Sequence, residues 1–332
     1  MKIAVLGAGS WGTTIALHLY KNGYEVALWE FFPDYVKVLQ EKRENVKFLP
    51  GFKIPKDIQI TSKIIEAIAG AKVIVLAIPS HVIRKVARML KPFNLQDILL
   101  VSVAKGIENK TLLRMSQVIA QELPFSKNNV VVLSGPSHAE EVVRDIPTTI
   151  VAASKSVKKA EYIQKIFMSP SLRVYTNRDI VGVELGGSLK NIIAIACGIS
   201  DGLGFGDNTK AALMTRGMHE ITKLGVAMGA KPGTFAGLTG IGDLITTCIS
   251  RHSRNRNYGE MLGKGLTPEQ ALSKMIMVVE GIRTTKSANA LARKYRIEMP
   301  ITEQVYAALF RGKKAKDAGR DLMMREAKPE HR

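Results

Sequence analysis

A glycine-rich loop at residues 7–12 constrains the fold of this chain more than any other part of the sequence. The loop reads GAGSWG. It follows the apolar run Lys2 to Leu6 and opens a stretch, Ser10 to Asn22, with apolar residues at helical spacing. A strand, a glycine loop and a helix in this order predict the first unit of a dinucleotide-binding domain. The alternative is a glycine-rich turn that binds no ligand.

Each glycine of the loop has its own physical reason. Gly7 permits a tight turn, Gly9 lets the backbone approach a pyrophosphate, and Gly12 lets the helix pack closely on the strand. The helix that begins with Ser10 and Trp11 offers unpaired N–H groups and the positive end of its dipole to phosphates. The loop is therefore the first candidate for cofactor binding.

Short β-rich runs alternate with helical stretches through the first half of the chain. Near-continuous apolar runs are typical of strands buried on both faces of a parallel sheet. The predicted strands after the first are Glu25 to Trp29, Lys72 to Ile78, Ile98 to Ser102, Val130 to Leu133, Thr148 to Ala153 and Leu172 to Thr176. Helices are expected between them, for example Ser80 to Leu90 and Thr111 to Leu123. The alternation predicts a doubly wound parallel sheet, the Rossmann architecture, over residues 1–179.

The pattern changes from about residue 180 onward, where strand-like runs give way to long helical ones. Breaks fall at Gly202-Leu203-Gly204, Lys231-Pro232-Gly233 and Gly263-Lys264-Gly265. We expect an all-helical substrate and catalytic domain over residues 180–332. Its first helix, roughly Asp179 to Asp201, would bridge the two domains.

The composition limits the class of protein. With 332 residues, 46% of them hydrophobic, the chain is long enough for two domains. Cys197 and Cys248 form neither a disulfide framework nor a metal-ligand pattern, so we expect a cytoplasmic location and no metal. The longest apolar run, Ile192 to Ile199, is well short of the roughly 20 residues that a membrane span needs. No membrane insertion is therefore expected.

An excess of positive charge is the unusual bulk property. There are 48 Lys and Arg residues against 29 Asp and Glu, a net charge of +19. A lysine-rich solvated surface, a field that attracts anionic metabolites, and nucleic-acid binding would each account for it. The basic residues are scattered and form no nucleic-acid-binding motif, so no nucleic-acid partner is expected.

The end of the second strand predicts the cofactor preference. Glu30 lies roughly 20 residues beyond the glycines, where an acid accepts a hydrogen bond from the ribose 2′-OH of NAD. It would also repel the 2′-phosphate of NADP, and Phe31 and Phe32 after it offer no cation. NAD(H) is therefore favoured. NADP(H) stays an alternative, because Glu30 could be one residue out of register and solvated.

Further candidate site residues follow two other strands of the predicted sheet. Lys105 follows one of them, and Gly135 and Ser137 follow the next. Ligands of open α/β sheets bind at the carboxyl ends of the strands, so these three residues are candidates for the substrate site. His138 comes directly after them with no acidic partner visible in the sequence, which favours a structural role.

Two polar residues, Lys190 and Asn191, interrupt an otherwise apolar helix. Unpaired polar groups are costly to bury, so both need partners. A desolvated lysine has a lowered pKa and acts as a general acid or base. The alternative is that Lys190 reaches the surface along its aliphatic stem.

The helical half carries two more polar segments. Asp243 follows the glycine-rich run Gly237 to Gly242, and a basic segment contains Ser253, Arg254 and Asn255. An arginine side chain grips a phosphate through its fork of N–H donors, which makes the second segment a candidate phosphate site. A solvated basic loop is the alternative.

The order of these motifs resembles one enzyme family closely. The segments are GAGSWG, VAKGIE, LSGPSHAEEV, ELGGSLKNIIAIACGISDGLGFGDNTKAALMTRG, LTGIGDLITTC, SRNRNYG and VEG. They are similar to those of the bacterial-type NAD(P)-dependent glycerol-3-phosphate dehydrogenases, over nearly the whole chain. The later motifs separate this family from hydroxyacyl-CoA, 6-phosphogluconate and ketopantoate relatives, which share the two-domain plan.

The resemblance implies a role for each matched residue. Lys190 would be the general acid and base, with Asp243 and Lys105 holding the site together. The residues expected to bind the substrate are Lys105, Gly135, Ser137, Lys190, Asn191, Asp243, Ser253, Arg254 and Asn255. Those expected to bind the dinucleotide are Gly7, Gly9, Ser10, Trp11, Gly12, Glu30, Phe31, Phe32, Lys105, Ala139, Arg254, Val278 and Glu280.

The implied reaction is the interconversion of dihydroxyacetone phosphate and sn-glycerol 3-phosphate by hydride transfer with NAD(P)H, which supplies glycerol 3-phosphate for phospholipid synthesis. Lys190 would protonate the developing alkoxide while Arg254 anchors the phosphate. Family members usually act as homodimers, so a homodimer is expected. A dehydrogenase for another small phosphorylated or acidic substrate and a non-catalytic NAD sensor are the competing functions.

Overall fold

The computed structural model describes residues 1–327 and 329–330. The strands are β1 (Lys2–Leu6), β2 (Glu25–Trp29), β3 (Glu44–Asn45), β4 (Leu49–Lys53), β5 (Gln59–Thr61), β6 (Ala71–Leu76), β7 (Leu99–Ser102), β8 (Val130–Ser134), β9 (Thr148–Ala153) and β10 (Leu172–Asn177).

Helices lie between the strands of the first half. Among the described residues after 179, helices are joined by loops and there is no strand. They are α1 (Ser10–Lys21), α2 (Pro33–Lys42), α3 (Ile64–Ile68), α4 (Ile83–Leu90), α5 (Met115–Glu122), α6 (Ala139–Val142), α7 (Val157–Phe167), α8 (Ile180–Gly202), α9 (Asp207–Ala227), α10 (Pro232–Phe235), α11 (Asp243–Ile249), α12 (Arg254–Gly263), α13 (Pro268–Ser273), α14 (Glu280–Tyr295), α15 (Pro300–Phe310) and α16 (Ala315–Met323).

Eight of the strands form one sheet in the order β10-β9-β8-β7-β6-β1-β2-β5. Neighbouring strands are parallel, except that β9 runs antiparallel to β8. The predicted Rossmann class of fold is confirmed, with this one antiparallel pair and a separate β3–β4 hairpin as additions. Strand order reverses beside β1, which is where such sheets bind their ligands.

Successive side chains along each strand point to opposite sides of the sheet, as the two-residue period of a strand requires. Val5, Val73 and Val101 pack on one side with Ile15 and other residues of α1. Ala4, Ile74 and Leu100 lie in the cluster on the other side, with side chains of α3, α4 and α5. Both faces are covered, which explains the near-continuous apolar runs.

Helix α8 is the centre of the helical half. By length and composition it could cross a membrane, but 94% of its most apolar window is buried inside the protein. Glycines let α12 approach it, since a Cβ on Gly198 would lie 2.0 Å from the backbone oxygen of Arg256. Asp179 caps α8 by accepting a hydrogen bond from Gly182 N at 2.9 Å. The division into domains at residues 179 and 180 stays a prediction, and residues 328, 331 and 332 lie outside the described part.

Candidate active site

The glycine loop has the geometry that a dinucleotide requires. Gly7 has a φ of 115°, which favours glycine, and a Cβ there would lie 2.5 Å from Ala77 O. A Cβ on Gly12 would lie 1.9 Å from Gly7 O, so Gly12 is needed for packing within the loop. Gly9 has no atom within 4 Å of its Cβ position. The space beside Gly9 is open to a ligand, which fits a bound pyrophosphate.

Glu30 lies directly beside this loop at the end of β2. Its carboxylate accepts hydrogen bonds from Ala8 N at 3.3 Å and from Phe32 N at 3.2 Å. Phe31 and Phe32 are exposed. The ammonium of Lys85, on α4, lies 4.2 Å from the ring centroid of Phe31. No pattern in the sequence points to this cation, because Lys85 is distant from Phe31 in the chain.

A buried cluster of charges joins the two halves at the carboxyl ends of the strands. Lys190 and Asp243 are 5% and 1% exposed, and Lys190 Nζ donates to Asp243 Oδ1. Lys105 Nζ donates to Asp243 Oδ2 at 2.8 Å and to Gly135 O at 2.9 Å. Lys190 also donates to Thr247 Oγ1 at 2.5 Å. Asp243 thus bridges two lysines.

Burial and the neighbouring charges shift the pKa values of Lys190 and Asp243. Burial lowers the pKa of Lys190 to about 7, even though Asp243 opposes this shift. Burial alone would raise the pKa of Asp243, but Lys105 and Lys190 together hold it below its ordinary value. Lys190 therefore exchanges a proton near neutral pH, as a general acid and base must. Asp243 stays ionised beside it.

Two asparagines and an arginine form a second group of polar residues in the helical half. Asn255 Nδ2 donates to Asn191 Oδ1 at 3.0 Å, and Gly281 N donates to Asn255 Oδ1 at 2.9 Å. Arg254 donates to the backbone oxygen of Val278 at 3.2 Å. Burial lowers the pKa of Arg254, with Glu280 and Glu140 opposing. The guanidinium is partly desolvated, and guanidinium groups in general pair well with carboxylates and phosphates.

The first residue of α14 and the segment before it contact the sheet half. Glu280 accepts hydrogen bonds from Ser80 N at 2.8 Å and Ser80 Oγ at 2.5 Å. Ser10 Oγ contacts Met277 Sδ at 3.9 Å. Met277 therefore lies at the glycine loop and Glu280 lies after β6, although both residues are distant from these segments in sequence.

The remaining predicted site residues lie in different surroundings. Trp11 packs partly buried against the sheet core. Ser137 Oγ donates to Gly135 O at 2.9 Å. Ser253 is buried and caps α12, accepting a hydrogen bond from Arg256 N. Ala139 O accepts a hydrogen bond from Thr14 Oγ1 at 3.4 Å, which ties α6 to α1.

Two contacts at the candidate site do not follow from the sequence patterns. They are the contact of Lys85 with Phe31 and that of Thr247 with Lys190. Thr247 carried a usable signal, since it lies one helical turn after Asp243 on the same face. Within residues 1–327 and 329–330, no three His, Cys, Asp or Glu side chains are grouped to hold a metal ion.

The α/β half has a dinucleotide-type glycine loop, and the helical half adds a lysine–carboxylate cluster at the strand ends. Together these features define a dinucleotide-dependent dehydrogenase. Two family descriptions match the chain. The amino-terminal part of NAD-dependent glycerol-3-phosphate dehydrogenase matches residues 2–160, and the carboxyl-terminal part matches residues 179–320. The chain belongs to the NAD-dependent glycerol-3-phosphate dehydrogenase family.

Known proteins give the same assignment. The chain is 54% identical to a glycerol-3-phosphate dehydrogenase, NAD(P)+, of Pelotomaculum thermopropionicum, over 98% of this chain and 93% of that one. It is 54% identical to the protein of the same name from a Thermoanaerobacter species, over 99% of each. A crystal structure of glycerol-3-phosphate dehydrogenase from Coxiella burnetii superposes with a TM-score of 0.93 at 37% identity, over 98% and 99% of the two chains.

Proposed function

We propose that this protein interconverts dihydroxyacetone phosphate and sn-glycerol 3-phosphate by hydride transfer with a nicotinamide dinucleotide. The observation that carries the proposal is the Lys190–Asp243–Lys105 cluster at the carboxyl ends of the strands, in which Lys190 and Asp243 are buried. Family membership supports the same reaction. The competing dehydrogenases for other small substrates would need a similar acid and base, so the substrate is the point to test.

The dinucleotide, when bound, supplies or accepts the hydride. Gly7, Gly9 and Gly12 would hold its pyrophosphate with the N-terminus of α1, where Ser10 and Trp11 lie. Glu30, Phe31 and Phe32 would hold the adenosine ribose. Lys105, Ala139, Arg254, Val278 and Glu280 complete the proposed set. Because Glu30 faces the loop with a carboxylate, we propose NAD(H) as the preferred cofactor.

Lys190 would donate the proton in reduction and accept it in oxidation. Reduction of a ketone places negative charge on its oxygen, and an ammonium next to that oxygen stabilises the charge and then donates its proton. Asp243 keeps the ammonium form accessible despite burial, and Lys105 fixes Asp243 from its other oxygen. In the oxidation direction, neutral Lys190 would take the hydroxyl proton.

The phosphate of the substrate would lie on the helical side of the cleft. Arg254, with Ser253, Asn255 and Asn191, would hold it, while Gly135 and Ser137 line the opposite side. Anchoring a remote phosphate fixes the carbonyl against the acid and the hydride donor, and such orientation contributes several kcal/mol. This is the proposed reason for an arginine in a partly desolvated position.

We further propose a cytoplasmic homodimer that supplies glycerol 3-phosphate for phospholipid synthesis. The support is the resemblance to the family, together with a long apolar helix that is buried rather than exposed. Two domains, residues 1–179 and 180–332, would close on the substrate between them.

The test is loss of NADH absorbance with dihydroxyacetone phosphate, with NADPH in parallel. Rapid oxidation that requires the phosphate group is the expected result, with dihydroxyacetone as the matched control. No oxidation with either cofactor, by protein that still binds NADH, would contradict the substrate. Related phosphorylated ketones and keto acids would then be tested.

A further inference from the structure

His138 carries a buried polar atom near the charged residues of the proposed active site. Its Nε2 is buried and makes no hydrogen bond with any residue that the structure describes. A buried polar atom without a partner has lost its hydrogen bond to water and gained none in return, which costs free energy. A ligand that supplies the missing hydrogen bond removes this cost, so the atom marks a place where a bound molecule would make contact.

The position of His138 places this atom at the substrate cleft. His138 precedes α6 and directly follows Ser137, at the carboxyl end of β8. Its ring centroid lies 6.0 Å from that of His252, the residue before Ser253 on the helical side. The imidazole therefore lies where the segment that contains Gly135 and Ser137 approaches the segment that contains Ser253.

Charges from several elements act on the same ring. Burial lowers the pKa of His138, and the ammonium groups of Lys190 and Lys105 lower it further, against Glu140 and Asp243. The imidazole is therefore neutral at physiological pH, with one N–H donor and one acceptor nitrogen. Such a ring suits a neutral hydroxyl, whereas a phosphate dianion is better matched by a guanidinium.

The substrate has three polar groups, and two of them already have proposed partners. The carbonyl oxygen would meet Lys190, and the phosphate would meet Arg254. The free hydroxymethyl group has none. We propose that His138 is a substrate-contacting residue that hydrogen-bonds this hydroxyl and sets the preference for it. The inference rests on the proposed function and replaces the structural role expected from the sequence.

The experiment compares two substrates that differ only at this hydroxyl. They are dihydroxyacetone phosphate and acetonyl phosphate, in which a methyl group replaces the hydroxymethyl group. The measured quantity is the ratio of their kcat/KM values with NADH. In the unaltered protein the ratio favours dihydroxyacetone phosphate. For His138→Phe we expect the ratio to fall by about tenfold or more, because a site built for a hydroxyl discriminates strongly against its loss.

Two further variants separate recognition from folding. His138→Gln keeps a hydrogen-bonding side chain and should retain more of the ratio than His138→Phe. His252→Phe makes the same change on the neighbouring exposed ring and should leave the ratio unchanged. Melting temperatures confirm that each variant folds. An unchanged ratio in His138→Phe, whether or not both activities fall, overturns the proposal. An unaltered protein inactive on both substrates instead overturns the proposed function, and this inference with it.

Discussion

Lys190 and Asp243 form an ion pair from which solvent is almost excluded, although they are 53 positions apart in the chain. Burying two charges costs free energy that their attraction recovers only with good geometry and further hydrogen bonds. Here Lys105 and Thr247 supply those bonds. A fold gains little stability from such a cluster, so its value lies in the perturbed lysine that it holds at the cleft.

Removal of the Lys190 amine should abolish proton transfer without emptying the cofactor site. We expect Lys190→Ala to lower kcat by about a hundredfold or more, the usual contribution of a positioned acid or base. The Kd for NADH, measured by fluorescence quenching, should change little. Lys210→Ala, an ion-paired lysine in the same half, is the control. Near-normal turnover of Lys190→Ala would exclude Lys190 as the acid.

The pH dependence should differ between the two directions of the reaction. Reduction needs the ammonium form of Lys190, whose pKa burial lowers to about 7, so its rate should fall as pH rises through about 7. Oxidation needs the neutral amine and should rise over the same range. Initial rates at saturating substrate between pH 6 and 9 test this. Parallel profiles in both directions would contradict the assignment.

The same group makes a testable contribution to stability. The folded-state pKa of Lys190 lies below its ordinary value of 10.5, so between about 7 and 10.5 the unfolded chain binds more protons at this residue. Its contribution to the free energy of unfolding should therefore rise with pH across that window. Urea titrations of the unaltered protein and of Lys190→Met at pH 7 and 9.5 measure this. Relative to Lys190→Met, the unaltered protein should gain stability between pH 7 and 9.5. A difference in the free energy of unfolding that does not change with pH would contradict this.

The sequence predicted those features that local periodicity encodes. The glycine loop and most strands of the sheet follow from short patterns, and Lys190 stood out as a polar residue in an apolar helix. The antiparallel direction of β9 could not be predicted, because strand direction depends on the path of the chain. The contact between Lys105 and Asp243 spans 138 positions, and that between Lys85 and Phe31 joins separate elements. Only the packed fold brings such residues together.

Two glycines of the loop should respond differently to a methyl group. Gly12→Ala places a Cβ 1.9 Å from Gly7 O, so we expect a lowered melting temperature and lost NADH binding. Gly9→Ala meets no protein atom within 4 Å and should leave the melting temperature nearly unchanged. It should still weaken NADH binding, because the methyl group enters the space for the pyrophosphate. Equal effects on stability in both variants would contradict this division.

A buried carboxylate fixes α8 to the sheet half and should matter for stability. Glu184 pairs with Arg114 and accepts hydrogen bonds from Ser116 N at 2.7 Å and Ser116 Oγ at 2.6 Å. Removing one partner of a buried pair costs about 3–5 kcal/mol, so Glu184→Ala should lower the free energy of unfolding by about that amount. The control, Asp317→Ala, breaks an exposed pair and should cost under about 1 kcal/mol. Similar losses in the two variants would show that Glu184 is not a structural anchor.

The cofactor preference should depend on Glu30. Glu30→Ala removes the acceptor proposed for the ribose 2′-OH and the repulsion of a 2′-phosphate, so the ratio of kcat/KM for NADH over NADPH should fall by about tenfold or more. Lys85 is then the nearby cation that can attract the 2′-phosphate, so adding Lys85→Gln should reduce NADPH use again. Glu25→Ala, an exposed change at the other end of the same strand, is the matched control. An unchanged ratio in Glu30→Ala would place the discrimination elsewhere in the cleft.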